Sequence, residues 1–317
     1  MAVHMHSLSK NTMPTTYHNL QLPSGVNIHY ARAGLGTAPT VLLLHGYPTS
    51  SSQYRDLIPL LADRYNVLAP DLPGFGHTTT PPNVPITFAY LASVIGEFLD
   101  ALSIAQTAVY VFDYGAPTAF RLALDRPELF TALITQNGNA HKEGLGPFWD
   151  PLKAWWASGE QHGSHRSDFH KVVGDIESTK HQYLDGVPED RVSRIGPNTY
   201  TFDYLMNLSP LDKREVQLDL FWDYQTNVAL YPKFQRWVRE SKIPVLAVWG
   251  KNDTIFVPAG AEAIGKEAVT GEVELLDGGH FLLETHVEEV AQHMLSFLDG
   301  VEGFSTTTNA ATAKQKS

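Results

Sequence analysis

The chain has 317 residues, of which 43% are hydrophobic and 18% charged, so it can bury a large core and general disorder is not expected. Its formal net charge of −11 disfavours nucleic acid and anionic membranes as partners. The absence of cysteine excludes disulfides, thiolate catalysis and cysteine-based metal sites.

Strands and helices alternate in two parts of the chain. The first part contains a predicted hairpin (17–33), strand 40–44, helix 51–62, strand 65–69, helix 87–102, strand 107–112, helix 115–124 and strand 131–136. The second part contains strand 243–249, helix 257–267, strand 272–276 and helix 282–298. This order predicts an α/β protein with a mostly parallel sheet flanked by helices, and ligand chemistry at the carboxyl ends of the strands.

Residues 139–222 interrupt the alternation with a stretch rich in tryptophan, histidine, glycine and charge. We interpret them as a mainly helical cap that lies over the catalytic end of the sheet and contributes aromatic side chains to an apolar pocket. The core would then comprise residues 15–138 and 223–300, and residues 1–14 and 303–317 would be flexible termini.

Nothing in the sequence indicates a membrane or secretory address. No apolar run approaches the roughly 18 residues that a spanning helix needs. The first residues lack the apolar stretch of a secretory signal, so we expect a cytoplasmic protein.

An aspartate, Asp113, stands between the strand at 107–112 and the helix that begins at Gly115. A sharp strand-to-helix turn projects its central side chain from the top of a sheet. A carboxylate there suggests attack on saturated carbon with formation of an alkyl ester. Taken alone, an aspartate after a strand is more often a helix cap.

Three further segments agree with a catalytic turn at Asp113. A strand ends in the loop acid Asp253, a second strand is followed by the loop histidine His280, and His45-Gly46-Tyr47-Pro48 follows the strand at 40–44. The chain order of nucleophile, acid and histidine is that of an α/β hydrolase.

The chain resembles the α/β-hydrolase superfamily over nearly all of residues 17–300 outside the insertion, and more narrowly its epoxide hydrolase and haloalkane dehalogenase branch. The matching motifs are H-G-Y-P at 45–48, G-F-G-H-T at 74–78 and D-Y-G-A at 113–116, while Val111 stands where the family has a small residue. The resemblance implies that Asp113 forms the ester and that His280, oriented by Asp253, activates the hydrolytic water. The backbone N–H groups of Tyr47 and Tyr114 would form the oxyanion hole.

The resemblance does not decide whether the leaving group is an epoxide oxygen or a halide. Epoxide hydrolases protonate the leaving oxygen with two cap tyrosines, and Tyr224 stands at about the spacing of the second. Trp155 and Trp156 stand where the first is expected, and Tyr183 or Tyr204 are the other candidates in the insertion. The epoxide reading leads because dehalogenases carry tryptophan after the nucleophile and asparagine in the oxyanion motif, where this chain has tyrosines.

Other functions stay open. An ester or lactone hydrolase could use the same scaffold, although no G-x-S-x-G motif is present, and a small-molecule binding protein would not need a water-activating base. We expect a small, mainly apolar organic substrate and water as partners, and neither a cofactor nor a metal. His162, His165 and His170 have a spacing that fits no known ligand set.

Overall fold

The computed structural model describes residues 13–304, which form one eight-stranded sheet with helices on both faces. The strands are β1 (Thr16–Gln21), β2 (Asn27–Ala33), β3 (Thr40–Leu44), β4 (Asn66–Pro70), β5 (Thr107–Phe112), β6 (Phe130–Gln136), β7 (Val245–Gly250) and β8 (Gly271–Leu276). Their order across the sheet is β1-β2-β4-β3-β5-β6-β7-β8. Only β2 pairs antiparallel with its two neighbours; the pairs from β4 to β8 are parallel, so the predicted fold class is confirmed.

Helices precede and follow the central strands. They are α1 (Ile58–Leu61), α2 (Phe88–Ala101), α3 (Gly115–Asp125), α4 (Asp150–Ser158), α5 (Ser164–Val173), α6 (Ile176–Leu184), α7 (Glu189–Val192), α8 (Pro197–Asp203), α9 (Leu211–Ser241), α10 (Ala259–Glu267) and α11 (Leu283–Asp299). Short 3₁₀ turns lie at Ser51–Tyr54, Lys142–Gly144 and Pro147–Trp149, and a π-helical turn lies at Tyr204–Leu208.

The central strands are apolar because helices cover both of their faces. Every residue of β3, β4, β5 and β7 is buried, the pattern expected of a doubly covered parallel sheet. The side chain of Thr87 accepts a hydrogen bond from the backbone N–H of Tyr90, which caps α2 at the first residue of the predicted helix 87–102.

The predicted helix over residues 51–62 is wrong in one respect, because the chain forms two short pieces there. Ser50 caps the 3₁₀ turn at Ser51–Tyr54, and α1 begins only at Ile58. Pro59 lies in the first turn of α1, where its missing backbone N–H costs nothing. In a continuous helix over residues 51–62 that N–H would have to donate to the preceding turn, so proline disfavours such a helix. The apolar spacing through this segment therefore serves two turns rather than one helix.

All the helices from α4 to α9 lie between β6 and β7, the part of the chain interpreted as the cap. Helix α9 runs without interruption across the predicted boundary at 222/223 and packs against α2, α3, α4, α5 and α10. The division into core and cap stays a prediction. The predicted flexible termini fall outside the described residues, except for 13–14 and 303–304.

Within residues 13–304, no helix combines the length and the apolar composition that crossing a bilayer requires. The cytoplasmic location stays a prediction.

Candidate active site

Asp113 occupies a strained turn at the carboxyl end of β5. Its φ is +47°, in the left-handed region that residues other than glycine rarely adopt, and α3 begins two residues later. Because β3 lies beside β5, with Leu44 opposite Val111, the loop that follows β3 passes directly next to this turn.

Two backbone N–H groups converge on one oxygen of Asp113. Those of Tyr47 and Tyr114 each donate to Asp113 Oδ1, with N···O distances of 2.6 Å. Such a pair of donors is the geometry that stabilises an oxyanion. Gly46 permits this approach, since a Cβ at that position would overlap the Asp113 carboxylate and the Tyr114 nitrogen.

The other oxygen of Asp113 faces His280. The distance between His280 Nε2 and Asp113 Oδ2 is 3.9 Å, and Nε2, although buried, has no hydrogen-bond partner among the described residues. On the far side of the ring, His280 Nδ1 lies 2.8 Å from Asp253 Oδ2. The structure thus brings together the three side chains that the sequence nominated, with the histidine between the two carboxylates.

Asp253 is itself held by two donors. Its Oδ1 accepts from the backbone N–H of Ile255 at 2.7 Å, and its Oδ2 accepts from the side-chain amide of Asn137 at 2.7 Å. Asn137 also accepts from the backbone N–H of Gly250 and has a φ of +48°. Sequence reasoning missed Asn137, although its place directly after β6 puts it at the same edge of the sheet as Asp113.

Gln136, the residue before Asn137, supports the histidine through its loop. Its side-chain Nε2 donates to the backbone carbonyl of His280 at 3.0 Å and to the Asn137 side chain at 2.6 Å. Its Oε1 accepts from the Tyr110 hydroxyl. A buried pair of amides therefore fixes the histidine and the loop acid relative to each other.

Burial and the neighbouring charges shift the pKa values of the two reacting groups. Burial raises the pKa of Asp113 to about 6, against the opposing effects of His280 and the two N–H donors. For His280, burial alone would lower the pKa, but the charge of Asp253, its hydrogen bond and the charge of Asp113 outweigh it, so the pKa is raised. Each group favours the ionised form of the other.

A cavity of about 580 Å³, a size typical of small-molecule sites, adjoins the site at His280 and Asp253, whereas Asp113 is not among the residues that line it. Its walls include Tyr47, Asp253 and His280 below and residues from α4, α5, α6 and α9 above. The apolar lining residues are Pro147, Phe148, Pro151, Leu152, Phe169, Val172, Val173, Phe221 and Ile255; the polar ones are His165, Asp168, Ser178, His181, Gln182, Asp185 and Thr254.

The structure does not place the predicted cap donors Tyr224, Trp155 and Trp156 among the residues that line this cavity. The Tyr224 hydroxyl lies 3.2 Å from the Tyr231 hydroxyl, and its side chain is fully buried. The indole N–H of Trp155 donates to the Glu160 carbonyl at 3.1 Å, and that of Trp156 to the Phe221 carbonyl at 2.9 Å. Their polar atoms are therefore occupied by other protein groups.

Tyr183 and Tyr204 are likewise engaged elsewhere. The Tyr183 hydroxyl donates to Asp203, and its ring stacks on Phe281 with centroids 3.8 Å apart. The Tyr204 hydroxyl donates to the Gly174 carbonyl at 2.9 Å. The suggested role of all five residues in proton donation or leaving-group contact stays a prediction that the hydrogen bonds do not favour.

The three histidines of the insertion do not converge. His165 lines the cavity, whereas His162 and His170 line a separate depression beside Arg166 on the outer side of α5. Among residues 13–304, no group of three or more histidine, aspartate or glutamate side chains has the arrangement of a metal site.

Comparison with known proteins places the chain in a family. Residues 39–287 match the family described as alpha/beta hydrolase fold. The chain is 47% identical over 281 residues to "Uncharacterized hydrolase YNR064C" of Saccharomyces cerevisiae, covering 88% of this chain and 96% of that protein. It therefore belongs to the α/β-hydrolase family and is an enzyme of that class.

More distant relatives bear the names of particular reactions. Mouse "Epoxide hydrolase 3" is 24% identical over 88% of this chain and 76% of its own length. "Haloalkane dehalogenase" of Psychrobacter cryohalolentis is 26% identical over 87% of this chain and 88% of its own length. These relatives confirm the resemblance to the epoxide hydrolase and haloalkane dehalogenase branch.

A solved structure agrees at the level of the fold. A putative lipase from Acinetobacter baumannii superimposes with a TM-score of 0.74 at 18% identity, covering 90% of this chain and 91% of that one.

Proposed function

We propose that this enzyme hydrolyses epoxides to vicinal diols through an alkyl ester of Asp113. The observation that carries the proposal is the division of labour between the two oxygens of that carboxylate. Oδ1 is held by two N–H donors at 2.6 Å, while Oδ2 faces the unpaired Nε2 of His280 at 3.9 Å. One oxygen is thus placed to carry charge and the other to attack.

In the first step, Asp113 Oδ2 attacks an epoxide carbon and the carbon–oxygen bond of the ring breaks. In the second, His280 removes a proton from water, and the resulting hydroxide attacks the carboxyl carbon of the ester. The N–H groups of Tyr47 and Tyr114 then bind the negative charge on Oδ1, a stabilisation of about 3–4 kcal/mol per donor. Collapse of this intermediate releases the diol.

A carbon–halogen bond is the second candidate substrate, and the cap disfavours it. A leaving halide needs free N–H donors, but the indoles of Trp149, Trp155 and Trp156 donate to backbone carbonyls at 2.8, 3.1 and 2.9 Å. Freeing the Trp149 indole would leave the carbonyl of the buried residue Ile255 without its partner, which costs about 1–3 kcal/mol. An epoxide instead needs a proton donor at its oxygen.

A single turnover in ¹⁸O-labelled water tests the covalent step. Because water attacks the carboxyl carbon, the label enters Asp113, and the peptide that contains this residue gains mass. Asp113→Ala, which lacks the carboxylate, is expected to form no ester and no diol. Label found in the diol of the first turnover, with none in Asp113, would show direct attack of water on the substrate.

Parallel assays with a styrene-oxide-type epoxide and a bromoalkane separate the two substrate classes. We expect diol from the first and no enzyme-dependent bromide from the second. Rapid bromide release with no diol would transfer the assignment to the dehalogenase class, with the same ester of Asp113.

A further inference from the structure

Ring opening leaves charge on the epoxide oxygen, and the five cap residues considered above have their polar atoms engaged elsewhere. A different tyrosine lines the cavity. Tyr47 lines the cavity together with His280, and its own backbone N–H is bonded to Asp113. The residue that binds the nucleophile through its backbone thus also forms part of the cavity wall.

The Tyr47 ring is firmly held. It packs against Phe221 of α9, with ring centroids 4.9 Å apart, and against Tyr114, with centroids 6.0 Å apart. The residue is only 7% exposed. A ring fixed by the oxyanion loop below and by α9 beside it presents its hydroxyl in one place, as a catalytic donor requires.

Gln182 of α6 lines the same cavity as Tyr47. A glutamine amide carries two donors, so it can donate to the phenolic oxygen while the phenolic proton points elsewhere. The pair joins the oxyanion loop to the inserted helices across the cavity.

We propose that the Tyr47 hydroxyl is the catalytic acid that protonates the leaving epoxide oxygen, and that the Gln182 amide is the positioning residue that orients this hydroxyl. The proposal rests on the proposed function, because it supplies the proton that ring opening by Asp113 requires. Sequence reasoning assigned only the backbone N–H of Tyr47 a role.

The protons balance over one cycle. As Asp113 Oδ2 bonds to carbon, the electron pair of the broken carbon–oxygen bond takes the Tyr47 proton and leaves a phenolate. In hydrolysis, His280 takes one proton of the water and returns it to the departing second oxygen of the diol. The other proton stays on the regenerated Asp113 carboxyl and passes to the Tyr47 phenolate through water in the cavity. The net reaction adds one water to the epoxide.

The electrostatic surroundings suit a group that starts protonated. Burial and the charge of Asp113 raise the pKa of Tyr47, so the neutral phenol is present throughout the physiological range. The nearby Gln182 amide acts in the opposite direction and lowers the pKa of Tyr47. It therefore stabilises the phenolate once the proton has been transferred.

The test compares three tyrosine-to-phenylalanine variants in single-turnover experiments, in which the Asp113 ester is trapped by acid and measured by mass. Tyr47→Phe keeps the backbone N–H and the ring, and we expect it to slow ester formation by about 10²–10⁴-fold, the usual contribution of a general acid. Tyr231→Phe removes another buried hydroxyl outside the cavity and serves as the matched control, with ester formation near the wild-type rate. Tyr224→Phe tests the rival donor.

A double mutant tests whether Gln182 acts by positioning the Tyr47 hydroxyl. Gln182→Leu is expected to slow ester formation less than Tyr47→Phe does, and to have no further effect once Tyr47 is phenylalanine, because the two residues act as a unit. A merely structural role would make the two losses add. The loss in Tyr47→Phe should also grow across a series of epoxides as the leaving alkoxide becomes more basic.

The outcomes separate this inference from the function on which it rests. If the wild-type protein forms no ester on Asp113, the proposed function fails. If it forms the ester and Tyr47→Phe forms it equally fast, or if Tyr224→Phe shows the large loss instead, only the role of Tyr47 is overturned. Should Tyr47→Phe fail to fold, the rates of ester formation in Gln182→Leu and Tyr224→Phe decide the question. A slower rate in both variants, with the larger loss in Tyr224→Phe, overturns the role of Tyr47. A slower rate in Gln182→Leu alone supports it.

Discussion

Asp113 combines a positive φ, nearly complete burial and a negative charge, three features that each cost stability. Its folded pKa of about 6 lies above the reference value of 3.8. A carboxyl with a raised folded pKa loses stability as the pH rises, because the unfolded chain ionises first. By neutral pH the difference amounts to about 3 kcal/mol, as an order of magnitude.

Asp113→Asn is therefore expected to raise the free energy of unfolding at pH 7 by up to about 3 kcal/mol and to have little effect at about pH 2.5, where the Asp113 carboxyl is protonated in both the folded and the unfolded state. The amide oxygen can still accept from Tyr47 and Tyr114. Urea denaturation at both pH values measures the difference, and activity should be lost. An equal effect at the two pH values would show that the gain does not come from the charge.

The pKa shifts also predict how the ester behaves with pH. Asp113 must be ionised to attack, so ester formation increases as the pH rises through about 6. His280 must be neutral to take a proton from water, and Asp253, which keeps its charge in the ester, raises the pKa of His280, so hydrolysis requires a higher pH. The fraction of enzyme trapped as ester by acid quench should therefore be larger near pH 6 than near pH 8. His280→Gln provides the control, with ester at both pH values; a wild-type fraction that grows with pH would contradict the assignment.

The sequence predicts the position of a site residue when strand order determines it, and does not predict it when packing against distant residues does. Asp113, Asp253 and His280 follow strand ends, and strand ends of a parallel sheet meet at one edge, so their proximity is predictable. The direction of Tyr224 on its helix depends on packing against Tyr231 and other distant residues, which no local pattern encodes.

At the scale of elements, α9 contacts both the inserted helices α4 and α5 and the helices α2, α3 and α10 that flank the sheet. Its residue Phe234 is fully buried and stacks on Phe120 of α3, with ring centroids 5.3 Å apart. Because α3 begins at the turn that carries Asp113, this contact also supports the position of the nucleophile. The sequence analysis assigned no helix to residues 211–241, and α9 packs against helices that are distant from it in the chain.

Phe234→Ala is expected to lower the free energy of unfolding by about 3–5 kcal/mol, the cost of removing a buried aromatic ring. The neighbouring residue Lys233 is exposed on the same helix, and Lys233→Ala should change stability by less than about 0.5 kcal/mol. Urea denaturation compares the two variants, and similar small changes in both would show that the contact between Phe234 and α3 contributes little to stability.

Where the elements begin and end was predictable to the extent that local signals decide it. Thr87 caps α2 where the pattern indicates, and β5 has the predicted bounds. The helix over 51–62 was not predictable from apolar spacing alone, because Pro59 starts a new helical turn within it.

At the scale of the whole molecule, burial is uneven between the sheet and the helices above the cavity. Helix α5 buries only Val173 of its ten residues, and α7 buries none, whereas β5 and β7 are buried throughout. Segments with few buried contacts open at lower free energy than the core. Since α5 forms part of the cavity wall, its opening would expose the cavity to solvent.

Amide hydrogen exchange followed by mass spectrometry should therefore show that peptides from α5 and α7 exchange well before those from β5 and β7. Helix α9 provides an internal comparison, because it buries nine residues along its length and should exchange more slowly than α5. Equal protection of α5 and β5 would show that the inserted helices unfold only together with the sheet.

The close approach at Gly46 has a consequence for any survey of random variants. That residue contributes no functional group, yet every other amino acid would force its first carbon onto the attacking carboxylate. A mutational scan scored by activity should find position 46 as intolerant of substitution as Asp113, Asp253 and His280. From the scan alone, Gly46 would be mistaken for a residue that takes part in the reaction.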